Sequence, residues 1–110
     1  MTRVYLSGPI TGKPALNKPA FDLAEVMLKA SGYRVINPFE VAPNPKTWEE
    51  AMREDIAALL TCEAIALLPG WESSRGAKLE RHIALQLGMR EIFIVMSEAG
   101  MKRQPCGRFG

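Results

Sequence analysis

The chain has 110 residues, 47% of them apolar and 24% charged, the balance of one globular domain with a single modest core rather than of a disordered segment. A net charge of +2 is too small to argue for a nucleic-acid polymer as partner, and no apolar run approaches the ~20 residues of a membrane span. The two cysteines, Cys62 and Cys106, and the one histidine match no zinc or redox spacing, so no metal site is expected and a reducing cytoplasm is the simplest location.

Met1-Thr2-Arg3 runs straight into a strand, with no signal-peptide pattern. Arg3 to Leu6 is that strand, and the loop Ser7-Gly8-Pro9-Ile10-Thr11-Gly12-Lys13-Pro14 follows. Its likeness to a phosphate-binding P-loop fails twice. The glycine spacing is one short, and Pro14 stands where a Ser or Thr should hold magnesium. The backbone amides and the Ser7 and Thr11 hydroxyls remain available to a polar ligand. Phe21, Leu23, Ala24, Met27 and Leu28 predict a helix from about Pro19 to Ala30, ended by Gly32. Tyr33 to Asn37 reads as the second strand. The three prolines between Pro38 and Lys46 predict a loop of roughly ten residues, long enough to serve as a lid.

Thr47 can cap a second helix, with Glu49 and Glu50 near its N-terminus. There Trp48, Met52, Asp55, Leu59 and Cys62 follow an i, i+4, i+7 rhythm, and Asp55 interrupts an otherwise apolar stripe. Ala64 to Leu68 is too short for a helix and right for a buried strand. Pro69 and Gly70 break it, and Ser73 and Ser74 offer N-cap hydroxyls to a third helix that reaches Leu87 and stops at Gly88. Gly76, Ala77, Ile83, Ala84 and Leu87 share one face of that helix, with Glu80 in its middle. A carboxylate there is costly unless something uses or pairs it. Glu80 could snorkel from the stripe's edge or pair with a basic neighbour; two helices each turning one acid inward make that plain account harder to hold. Glu91 to Met96 is a fourth strand, and residues 97–110 read as a loosely ordered tail that could carry a short added element, with Lys102, Arg103 and Arg108 solvated.

Strand and helix alternate, which predicts an α/β three-layer sandwich with a four- to five-stranded, mainly parallel sheet, flavodoxin- or Rossmann-like. A 2-1-3-4 strand order would set the loops Ser7 to Lys13 and Pro69 to Arg75 on either side of the switch point where ligands bind.

These residues resemble the nucleoside 2-deoxyribosyltransferase-like superfamily, and in particular its small phage-type and deoxynucleoside monophosphate N-glycosidase-like members. The resemblance runs from about residue 3 to 96, making 1–96 the domain and 97–110 a C-terminal tail. Tyr5-Leu6-Ser7-Gly8-Pro9-Ile10 is similar to the family's first strand and sugar-lining loop, and Asn37-Pro38 fits after the second strand. Asp55, followed eight residues later by Glu63, resembles the catalytic Asp segment, and Ser74-Arg75-Gly76-Ala77-Lys78-Leu79-Glu80 resembles the segment whose Glu is the nucleophile. Arg81-His82 departs from the Leu-Gly that follows the nucleophile in many relatives, and no segment matches the one that crosses a subunit interface in some of them.

The resemblance implies cleavage, by hydrolysis or transfer, of the N-glycosidic bond of a 2-deoxynucleoside or its 5′-monophosphate, through a glycosyl ester on Glu80. Asp55 would protonate the departing base, and Tyr5 would orient the nucleophile. Ser7, Gly8, Pro9, Ile10, Asn37, Trp71, Ser74 and Gly76 would form the substrate pocket. The implied partner is a small nucleoside or nucleotide, with no cofactor, no metal, no membrane and a homodimeric or larger assembly. A protein that kept the pocket only to capture or sense a nucleotide is the alternative. From the residues alone, Trp71 suits surface packing as well as base stacking, Arg75 a solvated loop as well as a phosphate contact, and His82 points away from Glu80.

Overall fold

The computed structural model describes residues 1–42, 44, 47–97 and 100–105. Five strands form one sheet: β1 (Arg3–Ser7), β2 (Arg34–Ile36), β3 (Ala64–Leu67), β4 (Arg90–Ser97) and β5 (Gly100–Pro105). Their order is β2-β1-β3-β4-β5, with β5 alone antiparallel. The helices are α1 (Lys18–Ala30), a one-turn α2 (Pro38–Val41), α3 (Trp48–Leu59) and α4 (Arg75–Gln86). This is the α/β sandwich that the alternating pattern predicts, and β1 and β3 are direct neighbours, Tyr5 opposite Ile65. No helix among the described residues is long and apolar enough to cross a membrane.

Period-two alternation along β1 divides the core. Val4 and Leu6 face α1 and pack with Phe21, Ala24, Leu28, Ala66 and Ile94. Tyr5 faces the other way and packs with Leu59, Ile65, Leu67 and Ala84 under α3 and α4. Leu23, about 200° around the helix from Phe21, points to solvent. Caps fall where the side chains allow them: Thr47 Oγ1 accepts from the Glu50 amide at 3.0 Å, and Gly88, with φ of 74°, ends the α4 turn.

One expectation changes. Pro38–Val41, read as the start of an open loop, is a helical turn, because Asn37 caps it by accepting from the Phe39 amide at 3.0 Å and Pro38 has the φ of a first helical residue. Pro43, Pro45 and Lys46 of the expected lid lie outside the described residues. In the tail, β5 continues the sheet, because β4 leaves a free row of backbone groups that residues 100–105 pair. Cys106 and Arg108 lie outside the described residues. Arg103 is exposed, as expected, with its guanidinium 5.6 Å from the Tyr33 ring centroid.

Candidate active site

Tyr5 and Ser7 are two apart on β1, so both project from the sheet toward α4. There they meet Glu80. Tyr5 Oη donates to Oε2 of Glu80 at 2.8 Å, and Ser7 Oγ donates to Oε1 at 2.6 Å. Glu80 is only 5% exposed, and none of its hydrogen bonds comes from a cation. Asp55, 7% exposed on α3, faces the same cluster, and its Oδ1 has no hydrogen-bond partner. The two acids that interrupt apolar stripes therefore converge over β1.

Burial dominates their electrostatics. It lifts Glu80 to about 7, against the opposing hydrogen bonds from Ser7 and Tyr5, with the charge of Asp55 adding to the rise. It lifts Asp55 to about 7 as well, with Glu54 adding and the Tyr5 hydroxyl opposing. Tyr5 itself is pushed well above the usual tyrosine range by burial and then by the charge of Glu80. With both carboxyls lifted to about 7, the two together carry on average about one proton near neutrality.

The other predicted site residues take separate places. Gly8 lies where the chain leaving β1 passes the end of β3; a Cβ there would sit 2.7 Å from the Leu68 Cβ, so only glycine fits. Pro9 is buried beside it, and its carbonyl accepts from Asn17 Nδ2 at 2.8 Å. Ile10 packs against the α1 side of the core. Gly76 is a close-packing position: its missing Cβ would stand 3.1 Å from the Met52 sulfur, so α3 and α4 approach tightly just above the two acids. Ser74 caps α4, its Oγ accepting from the Ala77 amide at 3.2 Å.

Asn37 is spent away from Glu80. Besides capping α2 it donates to Glu25 Oε1 at 2.9 Å. The Trp71 ring stacks on Phe93, centroids 6.3 Å apart, and carries the Arg81 guanidinium 4.8 Å above it. Arg75 stacks on Trp48 at 3.6 Å, joining the first turns of α3 and α4. His82 is exposed and turned from the acids.

Sequence reasoning missed the pairing of Arg81 with Glu91, Nε to Oε2 at 2.5 Å, in which Glu91 is 5% exposed. A signal was present: Glu91 opens an apolar strand, and its cation stands next to the site glutamate. Among the described residues no cluster of three or more His, Cys, Asp or Glu side chains gathers as a metal site.

A flavodoxin-ordered α/β sandwich with a hydroxyl-braced carboxylate pair beside its switch point defines the class. The chain belongs to the family described as Domain of unknown function (DUF4406), whose model matches residues 2–93. Among solved structures it is similar to a 2-desoxiribosyltransferase from Leishmania mexicana, with a TM-score of 0.68 and 16% identity. The alignment covers 88% of this chain and 66% of that one, so the chain spans just under two thirds of that enzyme's length, and the likeness is one of fold. No curated protein matches the sequence.

Proposed function

We propose that the protein cleaves the N-glycosidic bond of a 2-deoxynucleoside or its 5′-monophosphate in the cytoplasm, by hydrolysis or by transfer of the sugar to a second base. The observation that carries this reading is the buried Glu80 carboxylate, held by Tyr5 and Ser7 hydroxyls, with Asp55 beside it, whose Oδ1 has no hydrogen-bond partner. The fold likeness to a deoxyribosyltransferase supports it.

Roles follow from the hydrogen bonds. Glu80 receives two donors, which favour its anion, whereas Asp55 Oδ1 receives none. The shared proton therefore belongs on Asp55. Glu80 attacks the anomeric carbon as the carbon–nitrogen bond breaks, and the bond's electron pair leaves with the base, which Asp55 protonates. The glycosyl ester on Glu80 is then opened by water, whose proton returns to the Asp55 carboxylate, or by the nitrogen of a second base. Tyr5 and Ser7 hold the nucleophile, and Gly8 with Pro9 shapes the wall beside it.

The active form is a homodimer in this reading. A groove of about 470 Å³ on the outer side of α3, lined by Trp48, Met52, Ile56 and Leu60 with Leu79 of α4 and edged by Glu49 and Arg53, is mainly apolar and suits a second copy. Incubation with a panel of deoxynucleosides and their monophosphates, followed by chromatography, tests the chemistry. Free base is the expected product. Tight binding with no base released would leave a capture or sensing role in its place.

A further inference from the structure

The mechanism above leaves one buried carboxylate unused. Glu91, on β4, is 5% exposed, and its counter-charge is Arg81, whose guanidinium also lies over the indole of Trp71. Burying such a pair is seldom the cheapest way to stabilise a helix on a sheet, since apolar side chains of similar volume serve as well or better. Its position suggests what it does. α4 touches β1, β3 and β4, three strands that stand side by side in that order. Glu80 is anchored on β1 through Tyr5 and Ser7, and the very next residue, Arg81, is anchored on β4 through Glu91. Consecutive helical residues point about 100° apart, so these two anchors grip opposite flanks of α4 and straddle β3.

Ala77 and Ala84 pack α4 onto the sheet, and the two polar anchors define its rotation there. With a side-chain radius of about 5 Å, a 20° rotation of α4 moves the Glu80 carboxylate by roughly 2 Å. That is enough to break hydrogen bonds of 2.6 and 2.8 Å. A rotation toward either side must also pull Arg81 off Glu91 or drive it into β4.

We propose that Arg81, clamped between the buried carboxylate of Glu91 and the indole of Trp71, is a positioning residue that fixes the rotation of α4 and so sets Glu80 against Tyr5 and Ser7. Trp71 belongs to the same device, with Phe93 beneath it as a floor. The inference rests on the proposed role of Glu80, but its geometric part can be read without turnover.

The test compares wild type with Arg81→Lys and with the double variant Arg81→Leu/Glu91→Leu, which leaves no buried charge unpaired. Turnover is measured on whichever deoxynucleoside or monophosphate of the panel releases base, and the Glu80 carboxyl is titrated in ligand-free protein by carbon-13 NMR, its signal assigned by Glu80→Gln. The double variant should melt near wild type, lose about a hundredfold in kcat with KM within about threefold, and show a displaced Glu80 midpoint. Arg81→Lys, which keeps the charge opposite Glu91, should fall between the two. A folded double variant with unchanged kcat and unchanged Glu80 midpoint overturns the proposal. If the double variant does not fold, Arg81→Lys decides by the same two readouts. If wild type releases no base from any substrate, the glycosidase reading fails, and the titration alone decides whether Arg81 places Glu80.

Discussion

Glu80→Gln tests the electrostatic account of the site more sharply than any other change. The amide keeps the carboxylate's shape and removes its charge. A carboxyl held above its unfolded value binds its proton more tightly in the native state, so native stability falls as pH rises from 4.5 toward about 7 and stays low above that. That gap corresponds to roughly 3 kcal/mol of destabilisation once both states are ionised. Glutamine escapes that cost, but one of the Tyr5 and Ser7 hydroxyls must turn to accept from the new amide, which takes back on the order of 1 kcal/mol. The variant should therefore gain about 2 kcal/mol at pH 8.5, or about 10 °C in melting temperature, and almost nothing at pH 5. Circular dichroism melts at the two pH values measure both. Base release should fall by several orders of magnitude as the nucleophile is lost. A variant that melts below wild type at pH 8.5 would mean that Glu80 serves a hidden cation. An equal gain at both pH values would mean that its charge is not what costs stability.

Asp55→Asn should likewise stabilise, by an amount that grows as pH rises from 3.8 toward about 7 and levels off above that, because burial raises its carboxyl across that range. Its base release should fall about 10²- to 10⁴-fold with a natural base and much less with a nitrophenyl deoxyriboside, whose leaving group needs no proton; equal losses on both would remove Asp55 from the acid role. Gly8→Ala drives a Cβ to 2.7 Å from the Leu68 Cβ and should cost about 1–3 kcal/mol in urea melts. Leu60→Glu places a charge in the apolar groove on α3 and should yield a monomer by light scattering, against a dimer for wild type; identical masses would remove that face as the contact.

Where hydrophobic periodicity was long, the elements were readable. α1, α3 and α4 bury most of the residues their stripes predict, Leu23 and Leu87 being exposed, and the inward acids stood out because each broke an apolar pattern. Shorter or less apolar pieces were not readable in that way. α2 is a single turn, below the length at which a stripe exists, although Asn37-Pro38 carried its cap and first residue. Among the described side chains of β5, Met101 is the apolar one packed against the core, and the strand conformation comes from pairing with β4. Nothing about Ala15 and Leu16 announces their left-handed backbone, with φ of 51° and 55°; the surrounding turn imposes it. The place of Asn37 after β2 was legible, but its side-chain hydrogen bond to Glu25 depends on a contact that no spacing reveals.

The antiparallel fifth strand matters for more than the count of strands. Without it, β4 would end the sheet, and its Ile92-Phe93-Ile94-Val95-Met96 run, unbroken by charge or proline, would offer an open ladder to any passing chain. β5 covers that ladder and puts exposed Lys102 and Arg103 on the edge instead, where repulsion discourages a second copy from joining strand to strand. At the opposite side the edge strand β2 is three residues long, too short a template to recruit a neighbour. The sheet is thus guarded at both margins against aggregation, at one by charge and at the other by brevity.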